Sequence, residues 1–205
     1  MLRQTKKHFK YDKDFAQEYN QHTNFHEVYD FFVNSFVEIH GMPSGSLIDL
    51  CCGTADIASG FKLKFPRLDV VGYDESREML DSANHTGIAL INKPIKLVNG
   101  IFDNIISNNA YHHFDTIDDF WNVVNRISHA DSKILISDVV RPDNEADVEQ
   151  IVQDVLGKDS KFAPAFTLSL TASYTEQELR THIGLLKLVI IDTPFKNYKL
   201  FFIHN

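Results

Sequence analysis

The chain has 205 residues, 43% of them hydrophobic and 23% charged, with a formal net charge of -8. That length favours one domain with a sizeable core, and the composition is that of a globular protein rather than a disordered one. A negative surface repels phosphate backbones and anionic lipid, which argues against nucleic acid or a membrane as partner.

Residues 9–40 read as one or two amphipathic helices, with Phe25, Val28, Tyr29, Phe32, Phe36 and Ile39 recurring at threes and fours before Gly41, Pro43 and Gly45. Leu47–Cys51 is a short apolar run expected to be a strand, Gly53-Thr54 its turn, and Ile57, Ala58 and Phe61 mark a helix. Leu68–Tyr73 reads as the second strand, followed by a helix holding Met79 and Leu80 with Ser76 as N-cap. Ile95–Val98 is expected as the third strand and Phe102–Ser107 as the fourth. From Asp115 a helix presents Ile117, Phe120, Trp121, Val124 and Ile127 on one face, and Ile134–Val140 is the fifth strand. Val148, Ile151, Val152, Val155 and Leu156 form a helical stripe closed by Gly157. Thr175 to Glu178 is a capping-box pattern opening a helix that stops at Gly184, and Leu188–Ile191 and Leu200–Ile203 close the chain as strands.

Strands alternating with helices predict a doubly wound α/β fold on a mainly parallel sheet. The last two strands are too close in sequence for a crossover, so they pair antiparallel. The expected organisation is one domain over 1–205, with residues 1–45 as a helical cover and the insertion 141–175 as a lid.

One step of this reading conflicts with geometry. A third strand at the sheet edge lies ~14 Å from a fourth beside the first, because neighbouring strands are ~4.8 Å apart. The few residues between Val98 and Phe102 cannot span that distance and also return along a strand. Either residues are missing between Gly100 and Ile101, which is the expectation here, or Ile95–Val98 is not that strand.

The two cysteines, Cys51 and Cys52, are adjacent. That spacing suits neither a disulfide framework nor a zinc site, and a free pair suggests a reducing, cytoplasmic compartment. No metal site is expected. The start, MLRQTKKHFK, leads into Tyr11, Asp12 and Asp14 rather than an apolar run, so it does not read as a secretory signal. No stretch approaches the ~18 apolar residues of a membrane span.

The chemistry concentrates where the first strand ends. A turn of small residues lets backbone approach a ligand closely. Asp74, ending Val70-Val71-Gly72-Tyr73-Asp74, can accept hydrogen bonds from both hydroxyls of a ribose and so select an adenosine ligand without a 2′-phosphate.

LIDLCCGTADIA, starting at Leu47, resembles the first motif of class I S-adenosylmethionine-dependent methyltransferases, especially the ubiquinone/menaquinone-biosynthesis C-methyltransferases and their small-molecule relatives. Cys51 and Ala55 replace two of the family's three turn glycines. VGYDESREML, from Val71, resembles the second motif, and Ser107 to Phe114 resembles the fourth-strand segment bordering cofactor and substrate. The resemblance covers roughly residues 10 to 205 and implies a seven-stranded Rossmann-like sheet, S-adenosylmethionine as cofactor and a small-molecule methyl acceptor. The cofactor-binding set it implies is Asp49, Cys51, Gly53, Thr54, Asp74, Glu75, Met79, Asn108, Asn109 and Tyr19. Tyr11 and Phe15, near Tyr19, add aromatic faces that attract a sulfonium by cation–π interaction; an ordinary amphipathic helix is the competing explanation.

His112 is the candidate general base, with a pKa near working pH; the competing view makes His112 and His113 a pocket wall or helix cap. Two rival functions stand beside methyl transfer. A nicotinamide-dependent reductase shares the strand-turn-acid pattern but would want a further glycine packing helix on sheet. A regulatory protein could keep the fold and the cofactor without turnover.

Overall fold

The computed structural model describes residues 1–4, 16, 26–83, 87–114, 116–157 and 160–205. The elements are α1 (His26–His40), β1 (Ser46–Leu50), α2 (Asp56–Lys64), β2 (Asp69–Asp74), α3 (Arg77–Asp81), β3 (Ala89–Asn92), a 3-10 turn (Ile95–Leu97), β4 (Asn104–Asn108), a second 3-10 turn (Tyr111–His113), α4 (Ile117–Ile127), β5 (Lys133–Val139), α5 (Glu145–Leu156), α6 (Ala163–Ala172), α7 (Glu176–His182), β6 (Lys187–Asp192) and β7 (Lys199–His204). The strands form one seven-stranded sheet in the order β3-β2-β1-β4-β5-β7-β6. No helix among the described residues is long and apolar enough to cross a membrane.

The chain divides into two compact units, the first Lys10–Ser107 with Trp121–Leu135, the second Met1–Phe9 with Asn108–Phe120 and Ile136–Asn205.

In the first unit β1 pairs parallel with β2 on one side and β4 on the other, and β2 pairs parallel with β3. Strand β1 is buried along its last four residues, as a central parallel strand covered on both faces must be. Phe61 of α2 is fully buried and meets Phe32 and Phe36 of α1 edge-on, with ring centroids 6.5 and 5.2 Å apart. Edge-to-face contact sets the positive rim of one ring against the negative face of the other. Phe32 and Phe36 of the expected stripe therefore dock α1, whereas Phe25 and the side chain of Val28 lie outside the described residues.

The expected third strand is corrected. Ile95–Val98 is not a strand: Pro94, with φ -59°, leads into a 3-10 turn in which Leu97 donates to the Pro94 carbonyl and Val98 to that of Ile95. Proline has no N–H for a ladder, and the fixed φ suits a turn. The edge strand is Ala89–Asn92, in register Val71↔Ala89 through Asp74↔Asn92. Lys93 to Asp103, eleven residues, then join β3 to β4. Fully extended they could span about 36 Å, ample for the ~14 Å sideways step and the return. The conflict dissolves, and no missing segment between Gly100 and Ile101 is needed.

In the second unit β6 and β7 pair antiparallel from Lys187↔His204 to Asp192↔Lys199, as their spacing predicts. The expected insertion contains two helices. Helix α5 matches its stripe, is capped by Asn144 accepting from the Asp147 N–H, and is followed by Gly157 at φ 81°. Helix α6, which sequence reading missed, is apolar nearly all round and begins with Pro164, so it has no stripe to detect. The two pack together over Val148, Ile151 and Leu170 against Val139 of β5. The capping box on α7 forms as expected: Thr175 Oγ accepts from the Glu178 N–H and the Glu178 carboxylate accepts from the Thr175 N–H.

Candidate functional site

The turn after β1 gathers seven of the expected residues within the first unit. Cys51, Gly53 and Ala55 have φ of 57°, 56° and 56°, three alternating left-handed residues in five. These are the three glycine positions of the resembled motif, and the backbone is in the left-handed region that favours glycine at all three, even where the side chain is not glycine. Each non-glycine residue there costs roughly 1–2 kcal/mol. The turn is held from several directions. Cys52 N–H donates to the Tyr73 carbonyl (3.0 Å), Ala55 N–H to the Cys52 carbonyl (2.8 Å), and the buried Ser107 Oγ to the carbonyl of Leu50 (2.8 Å).

Asp74 links this turn to the next. One carboxylate oxygen accepts from the Gly53 N–H (2.8 Å) and the other from the Ser76 N–H (2.8 Å). The Gly53 amide, expected to face a ligand, thus donates to Asp74; each carboxylate oxygen keeps further lone-pair capacity. Met79, buried, places its Cε 3.3 Å from where a Cβ on Gly53 would lie, a tight contact that a larger residue there would require this flexible side chain to ease. Behind Asp74, the Asn92 side-chain amide donates to the carbonyls of Asp74 (3.1 Å) and Glu75 (3.0 Å). Asn92 was invisible to sequence reading because its strand was misplaced.

The electrostatics of the turn are one-sided. Asp49 is buried, and burial first, then the charge of Asp74, push its carboxyl well above the ordinary 3.8. Burial also raises Asp74, against the lowering effect of the Ser76 and Gly53 amides. Burial and neighbouring carboxylates hold the thiols of Cys51 and Cys52 up, in their neutral form. Glu75 is exposed, and the buried Thr54 donates through its hydroxyl to Asp56. The charges of Asp74 and Asp56 raise Asp49 and that of Glu75 raises Asp74, a field that favours a cationic ligand and disfavours a pyrophosphate.

The second unit holds Asn108, Asn109 and His112. Asn108 is half-buried at the end of β4; Asn109, exposed and left-handed at φ 53°, donates its N–H to Ser137 (2.9 Å). His112 is buried in the second 3-10 turn. Its Nδ1 lies 2.8 Å from both carboxylate oxygens of the buried Asp138, and its backbone N–H donates to the same carboxylate at 3.0 Å. A carboxylate can only accept, so Nδ1 carries the proton and Nε2 becomes the basic atom of the neutral ring. Sequence reading placed Asp138 on the fifth strand and gave it no role. Its signal was an acid inside an apolar strand, which needs a partner.

Arg3 reinforces this segment. Its Nε donates to the Ala172 carbonyl (2.7 Å), its Nη2 to that of Phe114 (2.7 Å), and its guanidinium sits 4.0 Å over the Tyr174 ring. No sequence motif marked it. Tyr19, Tyr11 and Phe15 lie outside the described residues. Among the described residues no group of three His, Cys, Asp or Glu could hold a metal ion.

No protein-family model matches the chain. Solved structures do resemble it. The plantazolicin methyltransferase BpumL, in complex with a pentazolic desmethylPZN analog and SAH, aligns with TM-score 0.71 at 17% identity over 94% of this chain and 90% of that one. The plantazolicin methyltransferase BamL with a triazolic analog and SAH gives TM-score 0.68 at 12% identity over 94% and 90%. Magnesium protoporphyrin IX methyltransferase from Synechocystis, with bound SAH, gives 0.60 at 13% over 95% and 100%.

Proposed function

We propose that this chain, whose fold is that of class I S-adenosylmethionine-dependent methyltransferases, is an enzyme that transfers a methyl group from S-adenosylmethionine to a small-molecule acceptor in the cytoplasm. The observation that carries the reading is the turn after β1, left-handed at Cys51, Gly53 and Ala55 and tied through the Gly53 N–H to Asp74 in an acidic setting. The fit to this cofactor is chemical: a sulfonium and an ammonium suit a site of Asp49, Asp74 and Glu75, and a dinucleotide's pyrophosphate does not. That same argument weighs against the nicotinamide reductase. The SAH bound in the similar structures agrees with it. The nearer likeness to ubiquinone/menaquinone C-methyltransferases rests on the sequence motifs alone.

S-adenosylmethionine, when bound, supplies a methyl group already activated on sulfur. The chain's own work is then to bind, align and exclude water. Gly53 and its neighbours Asp49, Cys51 and Thr54 would hold the methionine portion and Asp74 the ribose, with Glu75, Met79, Asn108, Asn109 and Tyr19 completing the cofactor's surroundings. Asp138 fixes the His112 ring so that Nε2 is the atom able to accept a proton from an acceptor hydroxyl, amine or carbon acid. The single-domain reading goes with this, residues 1–45 serving as cover and 141–175 as lid; α6 of that lid packs on the His112 turn.

Calorimetry with S-adenosylmethionine, SAH and NAD tests the assignment. Both adenosyl ligands should bind, NAD should not, and Asp74→Ala should weaken binding by about 2 kcal/mol as a charge-assisted contact is lost. Preference for NAD would overturn the reading. In an acceptor screen His112→Ala should lower turnover with cofactor affinity unchanged. Cofactor binding without turnover on any acceptor would favour the regulatory alternative.

A further inference from the structure

We propose, resting on the methyltransferase reading, that Arg141 recognises a carboxylate on the acceptor. Arg141 follows β5 and is 95% buried, with 5% of its side chain exposed. Only Nη2 is engaged, donating to Glu178 Oε1 at 2.6 Å; Nε and Nη1 are buried with no hydrogen-bond partner. A guanidinium cannot shed its charge, and buried N–H groups left unmade are among the costlier defects a fold can hold. The rest of Arg141 is well anchored. Its backbone N–H donates to the Tyr174 carbonyl (2.9 Å), and Glu178 is held by the capping box of α7. The guanidinium is therefore fixed in place while most of its donors go unused.

The geometry of the unused donors selects the ligand. Nη2 has two hydrogens, one on each edge of the guanidinium, and Glu178 makes its one contact from one of them. Whichever it takes, the other edge keeps two parallel N–H donors, Nη2 with either Nε or Nη1. Two parallel donors match the two oxygens of a carboxylate. Glu178 is 37% exposed, so the guanidinium's neighbourhood reaches solvent on that side. Tyr174 connects the arginine to the candidate base: its carbonyl takes the Arg141 N–H, and its hydroxyl donates to the Phe114 carbonyl, two residues beyond His112. The backbone of Arg141 and the turn that carries His112 are thus tied to one residue, Tyr174, and on this proposal a carboxylate held by Arg141 belongs to the acceptor.

The smallest carboxylate tests this without knowledge of the acceptor's scaffold. The ¹⁵N-labelled protein, saturated with SAH and at constant ionic strength, is titrated with sodium formate and separately with formamide. The Arg141 Nε–H signal is read throughout, assigned by its loss in Arg141→Lys or, should that variant fold poorly, through the backbone of the wild-type chain. Formate should shift the signal saturably, at least about 10-fold more tightly than the uncharged formamide. Absence of a saturable shift, or equal shifts by the two, overturns the proposal. If SAH displaces formate, the carboxylate recognised is the cofactor's own and the acceptor assignment falls. If SAH does not bind at all, the methyltransferase reading fails and the acceptor role with it, whereas a formate response in the free protein still establishes Arg141 as a carboxylate site.

Discussion

Cys51 and Ala55 occupy left-handed backbone that glycine would adopt without cost, and the two positions separate strain from packing. Cys51→Gly relieves roughly 1–2 kcal/mol of local strain against about 0.4–1 kcal/mol of added unfolded-state entropy. A gain of about 0.5–1 kcal/mol in urea unfolding is expected; a loss would mean the thiol contributes more than its backbone costs. Ala55 is fully buried, so Ala55→Gly also forfeits a methyl worth about 0.8 kcal/mol and should come out near neutral. Asp49 gives a pH dependence. Its folded pKa is raised above 3.8, so the folded state holds the proton more tightly than the unfolded one. Its stabilising contribution is full below the ordinary carboxylate value and is lost as pH rises through the raised one. Asp49→Asn should therefore melt higher than wild type at neutral pH, by about 2–4 °C per kcal/mol in a chain of this size, with the gap closing towards pH 4. A gap that widened on acidification would reverse the sign assigned to Asp49. A cationic ligand should draw the proton off, so S-adenosylmethionine binding should release protons and tighten as pH rises.

At the level of elements, β1 and β2 meet through a glycine that belongs to neither turn. A Cβ on Gly72 would lie 2.7 Å from Cys52 Sγ and 3.0 Å from Leu90 Cδ2. Gly72→Ala should destabilise by about 1–3 kcal/mol through overpacking, and Cys52→Ala should recover at least about 1 kcal/mol of it. Additive effects in the double variant would show that the thiol is not the obstacle. Several elements were legible because each carries its own signature: β1 as an apolar run, α7 as a capping box, β6 and β7 as neighbours with a short link. Strand β3 was not. Its four residues are partly exposed at a sheet edge, and the apolar Ile95–Val98 nearby competed for the assignment until Pro94 decided it. The site divides the same way. The turn and Asp74 lie within short motifs, whereas Asp138, Arg3 and Arg141 act across sequence separations of 26 to 169 residues, which no local pattern encodes.

For the molecule as a whole, the formal charge of -8 makes a direct prediction: micromolar protein at physiological salt should leave a labelled DNA or RNA duplex unretarded in a gel. Retardation would reveal a basic patch strong enough to override that charge. The order of the sheet has a consequence for how the chain is made. Strand β7 is the last of the seven to be synthesised, yet it lies between β5 and β6. Until it emerges from the ribosome, β5 presents an unpaired edge of Ile134 to Val139, and β6 has no neighbour to join. Roughly sixty residues separate Val139 from Lys199, so at about 5–20 residues per second this apolar edge stays open for some 3–12 s. A nascent chain in that interval carries a ready template for pairing with another copy. Slow translation through α5–β6, or a ribosome stalled before Lys199, should therefore be met by chaperone capture, and release of the finished chain by closure of the sheet in a single late step.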